Sequence, residues 1–400
     1  MVYNISYIFC KLVTFYQTLK VVLQIPKNFH LKILSSTNAQ KSNFSIFSMT
    51  SSPATELVLD HALSAYDYDL PSDRIAQDPV TPRDASRLLV VDPDRNIQHH
   101  HFYDLPNFLQ AGDLIVFNNT KVIPARMYGH KLSGVPVEIL LIEPIGHDRW
   151  LALVKPGKRL PIGSTIIFVD NVRATVEGIE TTTRARELQF HIPAEANLDK
   201  IIDQQGKLPL PPYITDSHVD PSRYQTIYAE VSGAIAAPTA GLHFTEELFQ
   251  KLLDKGIDKA FVTLHVGIGT FRPVETENIT EHVMHNEWCE VPEETIAKIK
   301  ATKARGGRVI GVGSTAARSL ESANFQAFKG KTNLMIYPSY EWKVLDGLIT
   351  NFHLPKSTLL MMVSSFLGKD GREFLMSIYQ EAIAKEYRFY SFGDAMLLFK

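Results

Sequence analysis

The rhythm of apolar and polar positions changes three times along the chain. From Tyr66, two proline-bearing turns in YDYDLPSDRIAQDPVTPRDASRLLVVD lead into an apolar run at 88–91 that predicts a buried strand. DLIVFNNTKVIPAR predicts a second strand, apolar over 114–117 and closing on polar Asn118, Asn119 and Thr120. Over 124–208 the pattern becomes short β-rich runs, VPVEILLIEP, RWLALVKP, STIIFVD, RATVEGIE and ARELQFHIP, parted by Gly, Pro, Asn or Asp. No helix of convincing period interrupts them, and such spacing predicts a small antiparallel barrel or sandwich. After Leu208, strands and helices alternate. EELFQKLLDKG and PEETIAKIKATKARGG have helical period and end in Gly, while KAFVTLHVGIG and RVIGVGS are apolar strands running into Gly-rich turns. The expected fold class is therefore α/β. A discontinuous α/β main domain, 49–123 and 209–400, carries an inserted antiparallel β-barrel domain, 124–208.

Composition sharpens this picture at the N-terminus. Residues 1–48 contain Lys11, Lys20, Lys27, Lys32 and Lys41, no Arg, and no acid before Glu56. They are expected to be a leader outside the fold, with Met49 as the working start. A transit peptide would share the acid-poor composition but not the missing arginines. The apolar stretches there are too short for a membrane span. At 400 residues the chain has material for two or three domains, and 41 Lys and Arg against 43 Asp and Glu exclude wholesale coating by nucleic acid while leaving a local basic face open. Cys10 and Cys289 stand alone, so neither a disulfide framework nor a zinc knuckle is indicated, and a reducing, cytoplasmic compartment fits.

Candidate chemistry gathers at strand ends. Arg83, Asp84, Ser86 and Arg87 cluster before the first strand, as ligand contacts or as a solvated loop with an ion pair. In SRYQTIYAEVSGAIAAPTAGLHFTEEL the small residues through Thr239 and Gly241 permit close backbone approach to a ligand, and a helix opens after His243 and Phe244. In VTLHVGIGTFRPV, His265 lies within an apolar strand, followed by Gly267, Gly269, Thr270, Phe271 and Arg272. ITEHVMHNEWCEVP offers Glu281, His282, His285 and Glu287 as a general base with orienting neighbours, or as a metal site without the helical spacing of a zincin. The turn of RVIGVGSTAARSLESA sets Ser314, Thr315 and Arg318 where a carboxylate, ribose or phosphate would bind. Asn351, Phe352, His353 and Lys356 precede an apolar helix and suit a base and a phosphate, or a capped loop. Lys155, Lys158 and Arg159 are candidates for phosphate contact from the inserted domain.

Taken in order, YDLPxxxIAQxP…PRDxSRLLV, GDLxVFNNTxVIPAR, PLPPYI, RYQTxYA, AAPTAGLHFTEEL, AFVTLHVGxGTFRPV, EHxMHxEW, GRVIxVGST and LITNFHLPKSTLLMxVSSF resemble the S-adenosylmethionine:tRNA ribosyltransferase-isomerase family. The closing KEYRFYSFGDAML resembles that family's C-terminus. The resemblance implies an α/β domain with an inserted barrel. It also implies transfer and isomerisation of the ribosyl group of S-adenosylmethionine onto tRNA bearing 7-aminomethyl-7-deazaguanine at the wobble position. Epoxyqueuosine tRNA, adenine and methionine are the products. In the mechanism usually proposed for the family, a base removes a C5′ proton acidified by the sulfonium and adenine is expelled. The aminomethyl nitrogen then attacks, an epoxide closes and methionine leaves.

That chemistry assigns proton transfer to Glu281, His282, His285 and Glu287, with His243 and His265 nearby. It asks Phe244 or Phe271 to hold the sulfonium, and Arg83, Arg87, Arg272 or Arg318 to pair a carboxylate or a phosphate. Asn118, Asn119 and Asn351 would read the deazaguanine edge. No metal and no cofactor is expected, S-adenosylmethionine being a co-substrate. The partners expected are S-adenosylmethionine and tRNA, with no membrane and a monomeric protein. An inactive tRNA-binding relative of the same fold and a metal hydrolase using His282 and His285 are the rival readings. Ser339 stands where the family typically has Gly, and a positive φ there would strain it.

Overall fold

The computed structural model describes residues 59–181, 183–211, 213–214, 220–267, 269 and 273–400. The stretch 1–48, expected to be a leader, and the expected site residues Thr270, Phe271 and Arg272 lie outside the described residues. In chain order, β1 (Arg87–Val91) and β2 (Ile97–His101) form a hairpin and β3 (Leu114–Asn118) is buried along its whole length. β4 (Thr120–Val122) leads into β5 (Arg126–Lys131), β6 (Pro136–Gly146), β7 (Arg149–Lys155), β8 (Thr165–Ile167), β9 (Arg173–Ile179) and β10 (Arg186–His191). Next come α1 (Leu198–Gln205), β11 (Val231–Ala234), α2 (Glu246–Asp254), β12 (Asp258–Leu264), β13 (Glu287–Val291) and α3 (Glu293–Ala304). The chain ends with β14 (Val309–Val312), α4 (Gly313–Ala323), β15 (Phe328–Thr332), β16 (Gly347–Asn351), α5 (Thr358–Phe366), α6 (Gly371–Ala384) and β17 (Ala395–Phe399).

Among the described residues nine strands form one sheet in the order β15-β13-β12-β3-β14-β16-β17-β1-β2. Its centre, β12-β3-β14-β16, is parallel. Strand alternation sends Leu114 and Val116 to one face and Ile115 and Phe117 to the other. On the first face they meet Ile296 and Ile299 of α3, Leu320 of α4 and the apolar sides of α5 and α6. On the second they meet Leu248 and Leu252 of α2 and Phe244. Burial on both faces explains why β3 reads as a continuous apolar run.

The six strands β5 to β10 close into a barrel in the order β10-β7-β6-β5-β8-β9, filled by Ile139, Leu141, Ala152, Ile166, Val176, Leu188 and others. One expectation for this stretch fails, because α1 is a helix within 124–208. Asn197 caps it, accepting from Lys200 N at 3.1 Å, and Leu198, Ile201 and Ile202 pack on the barrel core. Two turns are too short for a helical period to stand out in the pattern. The chain passes from sheet to barrel through β4 and returns through β11, and these two strands pair in parallel.

This topology fixes where a ligand belongs. β12 lies on one side of β3 and β14 on the other, so the strand order reverses at β3, and the carboxyl ends of all four parallel strands open on the same side. Open α/β sheets bind ligands in the crevice outside such a switch point.

Candidate active site

At those carboxyl ends lies a cavity of about 440 Å³, walled by the Ala237–Pro238–Thr239–Ala240 strap, the start of α4 and the loop from Thr350 to Thr358. That volume lies within the range of small-molecule sites. Gly313, at φ 82°, turns β14 directly into α4, and Ser314 and Thr315 in its first turn face the cavity with no side chain capping the helix. One turn on, Arg318 donates through Nε to Leu334 O at 2.9 Å and through Nη1 to Glu287. Glu287 starts β13, and its Oε1 accepts from Gly267 N at 3.0 Å. Arg318 and Glu287 are both more than nine-tenths buried, so removing either would leave the other buried without its partner.

A wider cleft of about 1250 Å³ separates the barrel from the end of β12. Its barrel wall carries Glu143, Asp148, Glu180, Asp199 and Asp203, of which Glu143 is paired at 3.1 Å with Lys331 across the cleft. Facing it, His265 stacks on Trp288 with ring centroids 4.9 Å apart and 18° between planes, and its Nδ1 lies 2.8 Å from Thr120 Oγ1. Burial lowers the pKa of His265. The cleft and the cavity share Val266, Gly269, His285 and Glu287 as common wall. His282 lines the cavity beside them. Its pKa is lowered first by burial and then by the charge of His285, against a smaller opposing pull from Glu275.

The structure thus brings Thr239, Gly269, His282, His285, Glu287, Ser314, Thr315, Arg318, Asn351, His353 and Lys356 to the cavity, and His265 and Gly267 to the cleft. Within the cavity wall, His353 is buried with its Nε2 2.8 Å from Thr350 Oγ1, and burial depresses its pKa to about 3. Lys356 pairs with Asp67 at 2.6 Å.

Other expectations are corrected. Asn118 and Asn119 line neither cavity. The first binds the backbone of Leu264 through both amide atoms, and the second accepts from Thr263 Oγ1 at 2.7 Å and donates to Glu230. Their amides tie β3 to β12. Phe244, expected against a sulfonium, is fully buried among Phe102, Phe117 and Phe249, and Phe352, expected against a base, among Tyr379, Tyr387 and Phe389, so neither ring lines a cavity. Gly241 packs under Tyr228, whose hydroxyl would overlap any Cβ there. Arg83 donates to Gln225 O at 2.8 Å, and Arg87 lies 3.7 Å over the Tyr387 ring and donates to Lys385 O. Both are structural clasps. Glu281 is exposed and accepts from Asn278, outside the cavity. His243 is buried against Phe102 with Nδ1 2.7 Å from Ser86 Oγ, and its pKa falls to about 3, chiefly through burial and then the charge of Arg388. His265 also lies just beyond β12 rather than within it.

Sequence reasoning missed Trp288, Tyr224 and Tyr390, which supply aromatic surface to the two cavities. The alternation in EWCEV and the aromatic run YRFYSF were the available signals. Among the described residues, no group of three or more His, Cys, Asp or Glu is placed to hold a metal ion.

Fold and site together define an α/β enzyme with an inserted barrel, in which two cavities meet at a cluster of ionisable side chains. The chain belongs to the queuosine biosynthesis protein family, whose model matches residues 63–398. It is 55% identical over 378 residues to the S-adenosylmethionine:tRNA ribosyltransferase-isomerase of Nostoc sp., covering 87% of this chain and 94% of that one. It is 53% identical to the protein of that name from Thermosynechococcus vestitus, with 85% and 96% covered. A crystal structure of an S-adenosylmethionine tRNA ribosyltransferase from Thermotoga maritima is 38% identical, covers 84% of this chain and 99% of its own, and aligns with a TM-score of 0.48.

Proposed function

We propose that this chain transfers and isomerises the ribosyl moiety of S-adenosylmethionine onto 7-aminomethyl-7-deazaguanine at the tRNA wobble position, giving epoxyqueuosine tRNA, adenine and methionine. The observation that carries the site reading is the shared wall. A reaction between two large substrates needs two compartments that touch at the reacting atoms, and here they touch at Gly269, His285 and Glu287. In this reading S-adenosylmethionine occupies the smaller cavity and the modified base enters through the cleft, stacking on the Trp288–His265 pair. The carboxylates of the barrel wall suit a base bearing a cationic aminomethyl group. Exposed Lys155, Lys158 and Arg159 on the barrel would meet tRNA phosphates.

Proton removal from C5′ falls to His282 or His285. Burial keeps His282 in its neutral, basic form near pH 7. Glu287, held by Arg318 and the Gly267 amide, positions rather than abstracts. S-adenosylmethionine is consumed, so the reaction asks for no resident cofactor, and the cytoplasm is where its tRNA substrate is met. Incubating the purified chain with S-adenosylmethionine and precursor tRNA, followed by mass analysis of the tRNA nucleosides, should reveal epoxyqueuosine. Tight tRNA binding with an unchanged nucleoside would instead support the inactive relative.

A further inference from the structure

We propose that the first turn of α4 together with Arg318 is the binding site for the α-carboxylate of the methionine moiety of S-adenosylmethionine, an assignment that rests on the function proposed above. Three features converge. Arg318 is 7% exposed, and while Nε and Nη1 are occupied, Nη2 is buried without a hydrogen-bond partner among the described residues. Thr315 Oγ1 is likewise buried and unpartnered among them, and both side chains line the cavity. At positions i and i+3 they share one face of the helix, with Ser314 one turn before Arg318. Finally, no side chain caps the helix, so its first N–H groups still need an acceptor.

Charge points the same way. A guanidinium near a helix N-terminus adds to the positive end of the macrodipole rather than opposing it. Glu287 neutralises one positive charge and already accepts from Gly267 N, so the corner retains donors and positive potential in excess. A carboxylate has two oxygens to answer a guanidinium N–H, a hydroxyl and a helix amide at once, and an arginine fork matches its plane. A ligand ammonium has no lone pair to accept from the buried guanidinium N–H, and a neutral ribose hydroxyl accepts more weakly than an anion does.

The test uses Thr315→Val, with equilibrium binding of S-adenosylmethionine and of its decarboxylated form, S-adenosyl-3-methylthiopropylamine. Losing a hydrogen bond to a charged group should weaken S-adenosylmethionine binding about tenfold, leave the decarboxylated ligand unaffected, and not lower the melting temperature, because the hydroxyl has no protein partner among the described residues. Arg318→Lys, which keeps a cation beside Glu287, should show the same selective loss. The assignment is overturned if either variant, folded, weakens both ligands alike or neither, or if only tRNA binding falls, which would make the anion a phosphate. If the unaltered chain binds neither S-adenosyl compound, the proposed function fails and this site with it. Adenine release by the unaltered chain alongside equal losses would overturn the carboxylate site alone.

Discussion

The histidines of this chain divide by burial, and burial decides what each can do. His243 and His353 are sealed, with pKa values near 3, and serve packing and hydrogen bonding. His282 is only partly enclosed, and burial, followed by the charge of His285, lowers its pKa from the usual 6.5 and so favours the neutral, basic form. The acid limb of kcat/KM for adenine release is therefore expected below pH 6.5, and His282→Gln should abolish or displace it; an unchanged limb would assign the proton transfer to another group. Ser339 shows a different residue-scale effect. Its φ of 79° is the left-handed conformation that favours Gly, so Ser339→Gly should raise stability by about 1 kcal/mol in denaturant melts. The need for that turn was legible in the sequence. The fate of His243 was not, because its partner Ser86 is 157 positions away and a histidine in a Gly- and Thr-rich loop reads alike in a core and in a site.

Elements were more legible than contacts. β3, β12, β14 and α4 carry continuous apolar runs or helical period with glycine punctuation, and each forms close to where expected, although β12 ends at Leu264, before His265. β5, the polar RMYGHK, gives no strand signal; it forms because the barrel needs a sixth partner, and its Gly129 lets β8 approach, since a Cβ there would sit 2.6 Å from Ile167 O. The loop joining β12 to β13 depends on glycine in the same way. A Cβ at Gly269 would lie 2.3 to 2.6 Å from the Cδ2, Cγ and Cβ atoms of His285. Gly269→Ala is therefore expected to displace His285 and lower kcat about tenfold or more, with a much smaller change in melting temperature. A normal kcat would mean that His285 does not need its present place. Two of the three phenylalanines expected at the site, Phe244 and Phe352, turn into the core instead, where their rings are fully buried.

For the whole molecule, the switch point of the sheet and the return of the chain from the barrel bring two cavities to one wall. That meeting could not be read in advance, because it depends on how β4 and β11 pair across more than a hundred residues. The buried histidines also couple the fold to pH. His243 and His353 bind protons in the unfolded chain below about 6.5 but in the folded one only near 3, so unfolding is favoured progressively as pH falls between those values. Melting temperature should drop across that window, and His353→Gln should flatten the dependence if the variant folds; a flat profile in the unaltered chain would contradict their burial as neutral groups. The central claim, that the two cavities hold two substrates of one reaction, is tested most directly by single-turnover release of adenine from S-adenosylmethionine, measured with and without tRNA bearing 7-aminomethyl-7-deazaguanine. One adenine and one methionine per tRNA consumed, and neither without that tRNA, is the result expected. Adenine release indifferent to the tRNA, or none with both substrates bound, would contradict it.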